Sequence, residues 1–242
     1  MSKVCGIVGA GEGLGAALAA KFAREGYDIA LVSRSKTGSA AAHKAAINAR
    51  ASAKVRFHSA DATDPETVEL ALTSLARDMG AFEVMIYNVR GEFTRCEPLD
   101  MTFDALETVY RQEVVGAFAA VKAVLPSMRE RKSGTILFSS ATAAFRGSAT
   151  HPLYAIGKFG LRALSQSLAK AYSGDGVHIV HVRLDCDLDT SIMREIHGDA
   201  YDPGKLANPA DVAESYWHAH LQPRSAWSNE VELRPFTETW TC

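Results

Sequence analysis

Cysteine is scarce in this sequence: Cys5, Cys96, Cys186 and Cys242 are the only four in 242 residues, and no two of them stand in Cys-x-x-Cys spacing. Thiols scattered in this way build neither a disulfide framework nor a zinc site, and they are expected to stay reduced in a cytoplasm. No apolar run approaches the ~18 residues of a membrane span. Residues 1–9 have no signal-peptide layout and lead directly into a strand, so secretion is not expected. An excess of one charge is also lacking. The formal net charge of −2, from 26 Lys and Arg against 28 Asp and Glu, argues against a nucleic-acid or anionic-membrane partner. His197, His218 and His220 lack metal-ligand spacing, so no metal is expected. Internal repeats and low-complexity linkers are absent. What remains is 47% apolar, enough for a packed core, and the length suits one α/β domain over residues 1–242.

Short β-favouring runs alternate with helical patterns along the chain. Strands are expected at 3–8, 27–32, 55–58, 82–87, 135–138, 177–184 and 230–234. Helices are expected at 16–25, over the Ala-rich stretch 35–53, at 65–79 after Asp64, at 103–131, from 153 to about 172, and at 209–220 after an Asn208 cap. The helix at 103–131 is apolar nearly all round in its middle, as if covered by the sheet on one side and a partner subunit on the other. Pro126 is expected to kink it. Residues 185–205 read as irregular, with Met193, His197 and Tyr201 available to line a pocket. Alternation this regular predicts a doubly wound α/β fold of about seven parallel strands, flanked by helices, with ligands at the carboxyl ends of the strands.

Three stretches carry chemistry. Tyr154 and Lys158 stand four apart at a helix start, so their side chains share a face. A phenol titrates near ~10, and a neighbouring ammonium is expected to bring that value down and make the phenol a general acid or base. Gly9, Gly13 and Gly15, with Leu14 between the last two, lie between the first strand and first helix. Such a turn aims bare N–H groups and a positive helix end at a pyrophosphate. The second strand ends in Ser33-Arg34-Ser35 without an acid, which favours a ribose 2′-phosphate over a free 2′-hydroxyl and hence NADP(H) over NAD(H). Glu12 argues the other way, since it could lie near the same phosphate. Asp61, followed by Ala62 at the third strand's end, could accept a bond from the adenine amino group.

Together these residues resemble the short-chain dehydrogenase/reductase family over essentially the whole chain. Asn88 falls where the family has Asn-Ala-Gly after its fourth strand, and Thr190 completes the match. The resemblance implies a Rossmann-type domain and a homodimer or homotetramer. It also implies hydride transfer between a nicotinamide and a carbonyl or alcohol carbon of a small molecule. The Tyr would be the acid/base, and the Lys would bind the nicotinamide ribose and lower the Tyr value. The implied cofactor-binding set is Gly9, Gly13, Leu14, Gly15, Ser33, Arg34, Asp61, Ala62, Asn88, Tyr154, Lys158 and Thr190. Departures are equally specific. The family's catalytic Ser falls on Ala141, its helix Asn on Glu113, and its Asn-Ala-Gly reads Asn88-Val89-Arg90. In a regular strand Ser140 and Thr142 would both point to the face opposite Ala141. At a strand end alternation commonly fails, so either could turn to supply the missing hydroxyl, Ser140 being preferred for its better-fixed backbone, or no hydroxyl replaces it. Glu113 could pair with Lys158 and act as a carboxylate relay, or face solvent. The expected activity is an NADP(H)-dependent oxidoreductase using Tyr154, Lys158, Ser140 and Glu113. The alternatives are a non-catalytic NADP-binding sensor or assembly protein, and a scaffold that binds no cofactor.

Overall fold

Most strands form on short apolar runs, and every crossover returns the chain to the same end of the sheet, so that neighbouring strands run parallel. The computed structural model describes residues 3–91 and 93–238; Cys242 lies outside them. Strands β1 (Val4–Val8), β2 (Asp28–Ser33), β3 (Val55–Ser59), β4 (Phe82–Tyr87), β5 (Gly134–Ala141), β6 (Val177–Leu184) and β7 (Glu230–Leu233) make one sheet in the order β3-β2-β1-β4-β5-β6-β7. All six pairings are parallel. The chain reverses its direction of travel across the sheet between β1 and β4, where strand ends open a crevice.

Side-chain alternation divides the core into two layers. Ile136 and Phe138 of β5 pack with α3 (Pro65–Met79), α5 (Gly116–Arg131) and α6 (Pro152–Tyr172). Leu137 faces the other way, toward α1 (Leu14–Arg24), α2 (Ala40–Ala49) and α8 (Pro209–His220). Asp64 caps α3 by accepting from the Glu66 and Thr67 N–H groups, and Asn208 caps α8 by accepting from Ala210 N–H.

Three expectations need correction. The Ala-rich stretch is helical only from Ala40, because the hydroxyls of Ser33, Ser35 and Ser39 engage local partners and hold residues 36–39 in a turn. Residues 185–205 are not wholly irregular: Thr190 accepts from Met193 N–H and starts the short helix α7 (Ser191–His197). The predicted helix at 103–131 is α4 (Phe103–Tyr110), a π-turn at Arg111–Val115, and α5. Gly116 N–H reaches back five residues to the Arg111 carbonyl, and the Tyr87 hydroxyl donates to the Gln112 carbonyl at 2.5 Å. One extra residue in a turn rotates the side chains that follow it, and such bulges recur at functional sites. Among the described residues no helix is long and apolar enough to cross a membrane, and no His/Cys/Asp/Glu group could hold a metal ion.

Candidate active site

The loop after β1 turns at Gly9, whose φ of +85° suits a residue without a Cβ; a Cβ there would lie 2.5 Å from the Asn88 carbonyl oxygen. Asn88 fastens the two strand ends together by donating from Nδ2 to the Gly9 carbonyl at 3.0 Å. A Cβ on Gly15 would come within 2.9 Å of the Ala10 backbone, and one on Gly13 within 3.0 Å of Thr190 Cγ2, so both glycines serve close packing. At Gly11 a Cβ would meet nothing within 4 Å, and Gly11, Gly13 and Leu14 all line the large cavity. No side chain caps α1 and no acid stands in its first turn. A bare, positively polarised helix end facing a cavity fits a pyrophosphate.

The ends of β2 and β3 bound an adjoining cavity of about 300 Å³, lined by Ser33, Arg34, Asp61, Ala62 and Asn88. Arg34 is exposed. Asp61 accepts from the N–H and hydroxyl of Thr63 at 2.9 and 2.8 Å, and these bonds hold its carboxyl below the usual range. Glu12 lines the large cavity with Arg34, but its carboxylate accepts from the Ser191 hydroxyl at 3.0 Å.

Helix α6 begins at Pro152, a residue that suits the first helical position because its missing N–H would be unpaired there anyway. Tyr154 therefore lies in the first turn at the cavity, with Lys158 one turn below. Lys158 is 2% exposed, and its Nζ donates to Glu113 Oε2 at 2.8 Å, the Ser139 carbonyl at 3.2 Å and the Val89 carbonyl at 3.4 Å. Glu113 sits in the π-turn, fully buried, and does not face solvent; its Oε1 accepts from Gly91 N–H at 2.5 Å. Burial alone would lower the Lys158 value, but Glu113 and Tyr154 together more than offset it, so the ammonium is held above its ordinary range.

Lys158 does lower the Tyr154 value, as expected, but it does not bring the phenol below its ordinary range. Burial raises it most, Lys158 pulls it down, Glu113 pushes it up, and the net shift is upward. The physical reason is burial of the phenol, which outweighs the pull of the ammonium, whose Nζ lies 5.5 Å from the Tyr154 ring centre and is itself paired with Glu113.

The hydroxyls around Ala141 have different fates. β5 stays regular to Ala141, paired with Leu184 of β6. Ser139 therefore faces α8 and accepts from the Tyr216 hydroxyl at 2.8 Å, and Thr142 donates to Asp185. Ser140 falls on the other face, the one that packs against α6; its Oγ is buried, has no hydrogen-bond partner, and belongs to a residue lining the large cavity. That cavity, of about 1110 Å³, brings together Gly13, Leu14, Arg34, Asn88, Ser140, Tyr154, Lys158 and Thr190. Glu113 lies behind Lys158 and outside the lining, while Asp61 and Ala62 line the adjoining cavity.

Met193 lines the large cavity, but Tyr201 donates to Asp189 at 3.0 Å and His197 lies 3.7 Å from Asp187. Sequence reasoning singled out none of Arg90, Phe93 and His151 as pocket residues. It also missed the room made for Glu113. A Cβ on Gly157 would lie 2.8 Å from Glu113 Cγ, and one on Gly91 2.9 Å from Glu113 Oε1. The signal was present in the Gly immediately before Lys158.

A profile of the family described as short chain dehydrogenase matches residues 3–199. An uncharacterized oxidoreductase of Staphylococcus aureus (strain N315) is 26% identical over 235 residues, which cover 96% of this chain and 97% of the relative. A solved short-chain dehydrogenase from Rhodopseudomonas palustris is similar with a TM-score of 0.81 and 28% identity, over 97% of this chain and 99% of that one. An alcohol dehydrogenase from the archaeon Thermococcus sibiricus, complexed with 5-hydroxy-NADP, shares the fold with a TM-score of 0.85 and 22% identity over 100% of both chains.

Proposed function

This chain belongs to the short-chain dehydrogenase family and is an oxidoreductase, and from that premise we propose that it interconverts a carbonyl and a secondary alcohol with NADP(H) as its cofactor. One observation carries this reading: a single cavity joins the uncapped start of α1 and Arg34 to Tyr154, with Ser140, whose buried hydroxyl has no protein partner, in its wall. Gly11, Gly13 and Leu14 would hold the pyrophosphate. Ser33 and Arg34 would hold a 2′-phosphate, the β2 end being free of acids. Asp61 would bound the adenine, and Asn88 and Thr190 the nicotinamide half. The 5-hydroxy-NADP in the Thermococcus sibiricus enzyme is consistent with this preference.

The cofactor supplies or accepts the hydride when bound. The chain's own residues handle the proton. Tyr154, held protonated at neutral pH by its raised value, gives its proton to the substrate oxygen in reduction. Ser140 Oγ, which has no protein partner, hydrogen-bonds that oxygen and fixes it beside the phenol. Lys158 contributes charge, and Glu113 holds it in place. Phe118, Ile156 and Phe159 are large apolar side chains left exposed on α5 and α6, and we read them as the contact of a homodimer or homotetramer.

The test is NADPH consumption across a panel of ketones and aldehydes. Tyr154→Phe is expected to lower the rate by about 10²–10⁴-fold, and equal rates from the two proteins would end the assignment. A second reading has one observation in its favour. Lys158 already directs its three donors at protein acceptors, leaving none for a ribose, as a non-catalytic NADP-binding protein could tolerate. It predicts NADPH binding with no turnover on any member of the panel.

A further inference from the structure

One wall of the large cavity has no part in the chemistry above. It is formed by the loops that follow β4 and β5. The Phe93 ring stacks on His151 with centroids 4.1 Å apart and planes 10° apart, and meets Tyr154 edge to face at 5.0 Å. The Arg90 guanidinium carbon lies 4.7 Å from the centre of Phe93 and 5.9 Å from that of Tyr154. A guanidinium held against rings uses its flat face, and its N–H donors, which lie in its plane, stay available to a ligand.

Among the described residues, three of the four acids that line the cavity have partners. Asp185 pairs with Arg234 and accepts from Thr142, Glu12 accepts from Ser191, Asp187 faces His197, and Glu238 stands near Cys186. Among the described residues no carboxylate is ion-paired with Arg90. At Tyr154 the positive charge of Arg90 acts more strongly than the negative charge of Asp187. Among the described residues, the pocket beside the phenol therefore offers a cation without an ion-paired acid, with planar aromatic neighbours.

We propose that the substrate is an oxo acid, whose carboxylate is held by Arg90 while its carbonyl oxygen meets Tyr154 and Ser140, and whose carbon frame packs on Phe93. This rests on the oxidoreductase reading. In the reductive direction the carbonyl carbon gains the hydride as NADPH becomes NADP⁺, the oxygen gains the Tyr154 proton, and the carboxylate leaves unchanged. A bidentate guanidinium–carboxylate pair fixes orientation as well as affinity, so the acid is favoured over its ester chiefly in KM.

Two measurements test the assignment. Calorimetric titration of the NADPH-loaded protein with benzoate and with benzamide compares two planar ligands that differ in charge. Benzoate is expected to bind at least about 10-fold more tightly. Arg90→Gln should bring the two within about twofold, and Arg90→Lys should restore part of the difference. Equal binding in the unaltered protein, or an undiminished preference in Arg90→Gln, overturns the proposal. So does a large loss of NADPH affinity in Arg90→Gln, which would reassign Arg90 to the cofactor. The second measurement sets an oxo acid against its methyl ester in NADPH consumption. Turnover of the ester but not the acid removes the substrate class and leaves the oxidoreductase standing. A benzoate preference without turnover of either removes the reductase reading and leaves the anion site standing.

Discussion

Glu113 reaches Lys158 only because two glycines leave it room, Gly157 on α6 and Gly91 after β4. Its carboxylate takes one donor of the ammonium, and the Ser139 and Val89 carbonyls take the others, so Lys158 is a fixed buried charge with little freedom to move. The consequence is read at Tyr154, where burial, then the partly neutralised ammonium, then the carboxylate leave the phenol above its ordinary value. An acid of raised value keeps its proton through the whole neutral range. Carbonyl reduction should therefore stay flat in kcat/KM from pH 7 upward and decline only beyond the usual tyrosine value of ~10. Alcohol oxidation, which needs the phenolate, should rise with pH across the same interval. A pH–rate profile in both directions checks this, and a reductive limb near pH 7 or 8 would contradict the shift.

At the scale of elements, β5 decides which way each hydroxyl faces. Because the strand stays regular to Ala141, alternation sends Ser139 to the Tyr216 side and Ser140 to the α6 side, where Tyr154 and Lys158 are. The Ser140 hydroxyl makes no bond within the protein, so its removal takes nothing from the fold. Ser140→Ala is expected to keep its melting temperature and lose about 10²–10³ in kcat, the usual loss when one donor to a developing oxyanion is removed. Thermal unfolding beside steady-state kinetics measures both, and an unchanged kcat would place the substrate oxygen elsewhere. The π-turn before α5 is the other decisive element. It turns Glu113 inward, and Gly116 lets the helix lie directly on the Ala62 carbonyl and the Tyr87 hydroxyl.

The whole molecule is held together partly by histidines that must stay neutral. His220, at the end of α8, bonds the Tyr27 hydroxyl and the Thr135 hydroxyl at 2.8 Å each, tying that helix to β5 and to the start of β2. His181 on β6 is buried beside Phe145 with both ring nitrogens unpaired. Burial pushes each of them down to about 4. An unfolded chain protonates them near ~6.5, so their contribution is complete above that value and is lost as pH falls from there toward 4. By pH 5 the loss is on the order of 2 kcal/mol per histidine. Denaturant unfolding at pH 7 and pH 5 should show the drop, and His220→Gln should shrink it by roughly that amount; the same drop in both proteins would refute the linkage.

Period, punctuation and short motifs were legible in the sequence, because they depend on neighbours a few residues apart. The strand–helix alternation gave seven parallel strands, the glycine spacing placed the turn after β1, and the Tyr–Lys spacing put two side chains on one face of α6. Local capping rules found Asn208 and Asp64 for the same reason. What depended on distant pairs was decided by the tertiary structure alone. The extra residue in the π-turn, the room that Gly91 and Gly157 make for Glu113, and the choice of face at Ser140 all arise where segments remote in sequence pack together. The proton affinity of Tyr154 belongs to the same class, since it follows from burial and from a carboxylate more than forty positions away in the chain.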